Sequence, residues 1–169
     1  MTSASTYSIR PLVLEDQNWT HEFMIEHWGA EEMMAHGTTY YPAVMPGFAA
    51  EQGSRVVGMA TYTIADQSLE IVSIDSDFPS CGIGSALLRA IEGVADQNHC
   101  RSVWLATTND NLSALKFFQK RDYRLVAVHY GAVTAARKLK PSIPLTGCEG
   151  IPLRDEIVLE KKMRPQPRE

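Results

Sequence analysis

The chain has 169 residues, 44% of them hydrophobic, and a formal net charge of −4. That length and apolar content suit one globular domain with a proper core, and the acidic balance excludes nucleic acid as a principal partner because no basic stripe is present to neutralise a phosphate backbone. No apolar run approaches a membrane span, Met1 to Tyr7 lacks the charge and apolar segment of a signal peptide, and three cysteines show no metal-ligand spacing, so a cytoplasmic protein without metal or disulfide framework is expected.

Tyr7 to Leu14 alternates loosely and predicts an edge strand whose pairing Pro11 limits. Asp16 or Asn18 can cap a helix running to about His27, with Trp19, Phe23 and Ile25 to Trp28 on a partly apolar face, and Gly29 ends it. From Ala30 to Met45 the pattern is weak, with Met33, Met34, Tyr40, Tyr41 and Met45 set among Gly37, Pro42 and Pro46. Phe48 to Glu51 and Arg55 to Ile64 predict a hairpin turning at Gln52-Gly53-Ser54, and Asp66-Gln67-Ser68 turns the chain into the next strand.

That strand, Leu69 to Ile74, leads through a polar loop, Asp75 to Cys81, into Gly82-Ile83-Gly84-Ser85 and a helix whose apolar residues Ile83, Leu87, Leu88, Ile91, Val94 and Ala95 recur at three- and four-residue steps. Two residues without a β-carbon in the opening turn let main-chain N–H groups approach a bulky anion. A dinucleotide fingerprint would need a third glycine where Leu87 stands, and a Walker loop would need Gly-Lys-Ser/Thr; neither is present. Two readings remain: a pyrophosphate cradle, or glycines that only cap and pack a helix.

After the helix, Ser102 to Thr107 is a continuous apolar run suited to a buried strand, and Leu112, Leu115 and Phe118 mark a helix from Leu112 to Lys120. Four strands before the first long helix, then strand, helix and strand, point to an α+β fold with a mixed sheet and helices on both faces. Ile74 eight residues before Gly82, the Gly82-Ile83-Gly84-Ser85-Ala86-Leu87-Leu88 helix start, Asn111, and Ala114-Leu115-Lys116-Phe117-Phe118-Gln119-Lys120 followed by Asp122-Tyr123 together resemble the GNAT superfamily of acyl-CoA-dependent N-acyltransferases. The resemblance covers residues 69–128.

The resemblance implies a mostly antiparallel sheet of about six to seven strands, splayed between the fourth and fifth. It implies acetyl-CoA as co-substrate, bound by the amides of Cys81, Gly82, Ile83, Gly84 and Ser85, by a main-chain N–H near Ile74 facing the thioester oxygen, and by Asn111, Ala114, Phe117 and Lys120 along the second helix. Asn111 suits a helix cap equally well, and Lys120 a solvated charge at a helix end. The implied activity is acetyl transfer to a primary amine of a small molecule or peptide, by direct attack in a ternary complex. Family members often form homodimers, although no stretch here marks such a surface.

For deprotonating the amine the candidate is Glu70, the one acid within the central strand; the alternative is a structural pair with Arg55 or Arg124. Where relatives carry a tyrosine that protonates the leaving thiolate, this chain has Phe118, which leaves Tyr130 or His129 as substitutes or no acid at all. Phe118, and Pro79 where the family usually has glutamine or arginine, keep a catalytically silent acyl-CoA sensor open as the alternative function.

Tyr123 to His129 predicts a strand, Gly131 to Leu139 a further helix, and Pro141 to Pro152 a long irregular loop before the last strand, Asp155 to Lys161. A single acetyltransferase domain over 1–169 is expected, with the added helix and loop, residues 129–154, on the acceptor side of the cleft and a frayed tail over residues 164–169. Glu31, Glu32, Asp155 and Glu156 are expected to converge there as an acidic pocket for a cationic amine.

Overall fold

The computed structural model describes residues 6–164; the tail expected to fray lies, apart from Arg164, outside the described residues. Seven strands form one sheet in the order β1-β4-β5-β6-β7-β9-β8: β1 (Ser8–Pro11), β4 (Gly47–Gln52), β5 (Arg55–Ala65), β6 (Ser68–Ser76), β7 (Ser102–Thr108), β8 (Arg124–His129) and β9 (Glu156–Lys162). Neighbouring strands run antiparallel except β6 and β7, which are parallel. The helices are α1 (Gln17–Trp28), α2 (Ile83–Gln97), α3 (Leu112–Gln119) and α4 (Ala132–Leu139), and among the described residues none is long and apolar enough to cross a membrane.

The apolar stripe of α2 explains the main core. Ile83, Leu87, Leu88, Ile91 and Ala95 are buried against Leu69 and Ile71 of β6, Val103 and Leu105 of β7 and Leu159 of β9. Burial of five such side chains, each contributing about 1.5–3 kcal/mol for the larger ones, fixes α2 across the parallel pair. Glycine at position 58 lets α2 lie close: a β-carbon there would stand 2.8 Å from Ile83 Cγ2. Met59, next along β5, points the other way and packs with Phe23 and Met24 of α1. Helices therefore cover both faces.

Two local details differ from the sequence reading. Asp16 occupies the position before α1 but does not cap it; its carboxylate takes Arg10 Nη1 and Nη2 at 2.7 and 2.9 Å, Trp19 Nε1 at 2.7 Å and the Val13 N–H at 2.8 Å, tying β1 to the helix start. The weakly patterned stretch after Gly29 contains a second small sheet, β2 (Met33–Ala35) paired with β3 (Thr38–Tyr40). Its loop is the two residues His36 and Gly37, both at positive φ (39° and 79°), the geometry a tight hairpin demands.

Candidate active site

The parallel pair opens like a fork. Three rungs join β6 to β7, Ser68 to Ser102, Leu69 to Val103 and Glu70 to Trp104, and beyond Glu70 the two strands separate while β6 continues to Ser76 and β7 to Thr108. At the fork β6 carries an extra residue, Val72, between the rungs that pair Ile71 with Tyr62 and Ser73 with Thr61. Such a bulge turns the strand and frees its edge. Asp77 donates its N–H to the Val57 carbonyl at 2.9 Å, so 77 with 57, 75 with 59 and 73 with 61 are the hydrogen-bonded pairs, and Ile74, opposite Ala60, presents its N–H to the gap.

The cradle residues meet at the open end of the fork. Gly82 stands before α2 at φ 83°, a conformation costly for any residue with a β-carbon, and its carbonyl accepts the first helical N–H, that of Ala86, at 3.0 Å. The N–H groups of Ile83, Gly84 and Ser85 precede that bond, and among the described residues no protein acceptor meets them. Gly82 therefore caps the helix, and the geometry leaves the three amides beyond it directed away from protein acceptors among the described residues. Cys81 is exposed beside them.

Gly84 faces the Phe117 ring of α3, 3.4 Å from where a β-carbon would stand. The Ser85 hydroxyl is already engaged, accepting from Arg121 Nη2 at 2.6 Å, while the same guanidinium lies 3.7 Å over the Phe117 ring. Asn111 caps α3, its Oδ1 accepting the Ala114 N–H at 3.1 Å. Ala114 and Phe117 are half-buried against the core, and Lys120 is exposed just past the end of α3.

On the sheet face opposite α2, Glu70 is 5% exposed, and its partners are neither of the arginines considered from sequence. Arg55 pairs instead with Asp77 at 2.7 Å, and Arg124 sits on edge strand β8. Glu70 Oε1 lies 2.7 Å from His36 Nε2, and Oε2 accepts from the Tyr40 hydroxyl at 2.8 Å. Burial first, and Glu70 second, push the Tyr40 hydroxyl up to about 12. A carboxylate only accepts, so His36 Nε2 carries the proton in this contact, and in the neutral imidazole the lone pair is then on Nδ1. Among the described residues Nδ1 meets no protein partner. The His36 ring lies 5.3 Å from the Trp104 ring, and both line a cleft of about 400 Å³ with Ser68, Val126, Ala127, His129, Val158 and Glu160.

The sequence reading names Tyr40 only within a weakly patterned stretch and does not name His36. Their signal was the pair His36-Gly37 between Met33-Met34-Ala35 and Thr38-Thr39-Tyr40, a turn dipeptide between short runs that can pair. Phe118 is 1% exposed, its ring against Phe117 and Tyr123 in the core, and does not face the fork. Tyr130 is 92% exposed past the end of β8 and, among the described residues, makes no hydrogen bond.

The expected acidic convergence is corrected. Glu31 pairs with His21 at 3.2 Å, Glu32 with Lys140 at 3.0 Å, and Asp155 accepts the Gly131 N–H at the start of α4. Glu156 alone reaches the site, its Oε2 accepting the His36 main-chain N–H at 2.9 Å. The loop after α4 is clamped to the end of β7: Asn109 bonds the Pro152 carbonyl and the N–H groups of Arg154 and Asp155, Asp110 accepts the Cys148 N–H, and Gly147 lies so close to the Asp110 carboxylate that a β-carbon would collide with it.

Residues 9–123 match the model of the Acetyltransferase (GNAT) family. The chain is 43% identical over 141 residues, 83% of its own length and 88% of the relative's, to YdhI of Bacillus subtilis strain 168, a protein described as uncharacterized. Its fold is similar to the IAA acetyltransferase from Bacillus cereus ATCC 14579, with TM-score 0.69, 20% identity and coverage of 94% of this chain and 100% of that one. It is likewise similar to a GNAT family acetyltransferase from Elizabethkingia anophelis with acetyl-CoA bound, with TM-score 0.65, 17% identity and coverage of 93% and 98%.

Proposed function

Since the chain belongs to the GNAT acetyltransferase family, we propose that it is an N-acetyltransferase that passes the acetyl group of acetyl-CoA to a primary amine within a ternary complex. The observation that carries this reading is the fork between β6 and β7, with unpaired α2 amides at its open end and Glu70 with His36 where the strands part. Bound acetyl-CoA supplies a thioester whose carbonyl carbon bonds the amine nitrogen as the carbon–sulfur bond breaks.

The chain's own groups have separate tasks. Residues 69–128 hold the coenzyme: the amides of Cys81 to Ser85 meet the pyrophosphate, and the Asn111, Ala114, Phe117 and Lys120 side of α3 flanks the arm leading into the fork. The Ile74 N–H faces the thioester oxygen, where a donor fixed in advance is worth about 2.7–4 kcal/mol as charge develops. His36 Nδ1 takes the amine's proton. Glu70 is then a positioning residue, holding the imidazole by Nε2 so that Nδ1 carries the lone pair, with Tyr40 fixing the second carboxylate oxygen. No acid is required for the thiolate, whose ordinary value near 8.5 makes it a tolerable leaving group; the outward placement of Tyr130 supports that economy.

A thiol-release assay with acetyl-CoA and a panel of primary amines tests the reading. Turnover that disappears in His36→Asn is expected. Tight coenzyme binding with no thiol released from any amine would favour a silent acyl-CoA sensor instead.

A further inference from the structure

His27 stands in the last turn of α1, outside the groups given tasks above, and both of its ring nitrogens are engaged. Nδ1 lies 2.9 Å from Asp75 Oδ2, and Nε2 lies 3.0 Å from Asp77 Oδ1. The side chain is 14% exposed, and its ring stacks on that of Phe23, one helical turn earlier, at 3.9 Å between centroids. An ionised carboxylate only accepts, so each ring nitrogen must bring a hydrogen, and a neutral imidazole has only one. The two contacts therefore define an imidazolium. Its place suits the charge, because the last turn of a helix favours a cation.

The charges around the ring balance. Asp75 belongs to β6 and Asp77 to the loop just beyond it, and Asp77 Oδ2 is taken in turn by Arg55 Nη2 of β5 at 2.7 Å. Glu22 and Glu26, on the same helix as His27, are exposed and make no bond to the ring among the described residues. With the ring doubly protonated, two carboxylates meet two cations. With one proton gone, a nitrogen lone pair faces a carboxylate and repels it.

What the ring clasps is the free limb of the fork. Beyond Glu70, β6 no longer pairs with β7, and β5 alone supports it edge to edge, with Asp75 opposite Met59 and Ser76 opposite Gly58. Met59 packs on α1, so Asp75, directly across from it, faces that helix too. Ile74 immediately precedes Asp75, and the loop through Asp77 runs on into Cys81 and Gly82.

In the acyl-transfer reading, on which this inference rests, that limb carries the N–H facing the thioester oxygen, and the loop delivers the amides that meet the pyrophosphate. We propose that His27, as an imidazolium, is a positioning residue for acetyl-CoA. By clasping Asp75 and Asp77 it fixes the β6 limb and the loop beyond, and the coenzyme site keeps its shape only while the ring holds both protons.

The test reads the ring and the coenzyme separately, on the full chain. Nitrogen NMR of the histidine rings at neutral pH is expected to show hydrogen on both nitrogens of one ring, assigned to His27 by its absence from His27→Gln. Calorimetry with coenzyme A then compares the natural chain with two variants. His27→Gln has no charge and a single amide group with which to reach the carboxylates, and its dissociation constant should rise about tenfold. His27→Arg keeps a permanent cation that can donate to both, and should bring the affinity back within about twofold of the natural chain. The natural chain should lose affinity at the pH where the second proton leaves the ring, and His27→Arg should show no such loss.

A His27 ring with a single N–H at neutral pH overturns the proposal and leaves acetyl transfer intact. So does a His27→Gln chain that melts earlier yet binds coenzyme A as tightly as the natural one. Should the natural chain bind no coenzyme A, the acyl-transfer reading falls and the positioning role falls with it. If His27→Gln fails to fold, Asp75→Asn serves: its amide can donate to a deprotonated Nδ1, so the loss of affinity with pH should vanish, and a loss unchanged from the natural chain overturns the proposal.

Discussion

His36 Nε2 lies 2.7 Å from Glu70 Oε1, joining the tip of a small hairpin to the residue at which two parallel strands part. His36→Asn tolerates the left-handed backbone at this position and removes the basic nitrogen. We expect kcat to fall by about 10²–10³-fold with little change in KM for acetyl-CoA. Glu70→Gln should lower kcat less and alter the pH profile, because an amide can donate to Nε2 and reverse the tautomer. Steady-state kinetics across pH check both; equal KM effects for coenzyme in either variant would move these residues out of the chemistry.

Tyr40 gives a second pH signature. Its hydroxyl is pushed up to about 12, by burial first and then by Glu70, so its contribution to stability is complete below the unfolded value of about 10 and is lost as pH rises through 12. In an ultraviolet titration, the difference between the natural chain and Tyr40→Phe should appear near 12. A difference centred near 10 would detach the phenol from Glu70.

Gly58 controls the height of the cradle. A side chain there must displace Ile83, whose Cγ2 would lie 2.8 Å from the new β-carbon. Gly58→Val is expected to destabilise by about 1–3 kcal/mol and to raise KM for acetyl-CoA more than it lowers kcat. Thermal unfolding and initial rates measure the two effects; loss of kcat alone would contradict a role in setting the amide positions.

Asp16 is the acid-sensitive point of the first helix. Its bond to Arg10 holds the carboxyl well below the usual carboxylate range, helped by the Val13 N–H and Trp19. A carboxyl that titrates lower when folded adds stability that is present above its unfolded value of about 3.9 and vanishes as pH falls through the folded one. Asp16→Asn should cost about 3 kcal/mol at pH 7, with the deficit shrinking toward pH 2. Urea unfolding midpoints at several pH values decide this, and a deficit constant with pH would show that packing, not charge, ties Arg10 to α1.

The half of the fold proposed to hold the coenzyme was legible because it is local. The Ile83 to Ala95 stripe, the Gly82 cap and the Leu69 and Ser102 strands each announce themselves within a dozen residues, and in the structure each spans the predicted stretch to within two or three residues. The half around Glu70 and His36 is assembled from distance. Glu70 was visible as an acid out of place in an apolar strand, but its partners lie thirty-four and thirty residues earlier, and Glu156 reaches His36 from 120 residues later. No periodicity marks such meetings. Arg55 and Arg124 were reasonable partners by charge alone; register placed Arg55 with Asp77 and Arg124 on the far edge.

The order of strands also bears on how the molecule is made. β9, last of the described strands along the chain, inserts between β7 and β8, which precede it, and brings Glu156, Val158 and Glu160 with it. During synthesis the earlier segments emerge with two sheet edges still open, and one wall of the cleft is missing until β9 leaves the ribosome and zips into place. Nascent chains halted before residue 155 should therefore expose those edges to aggregation or chaperones.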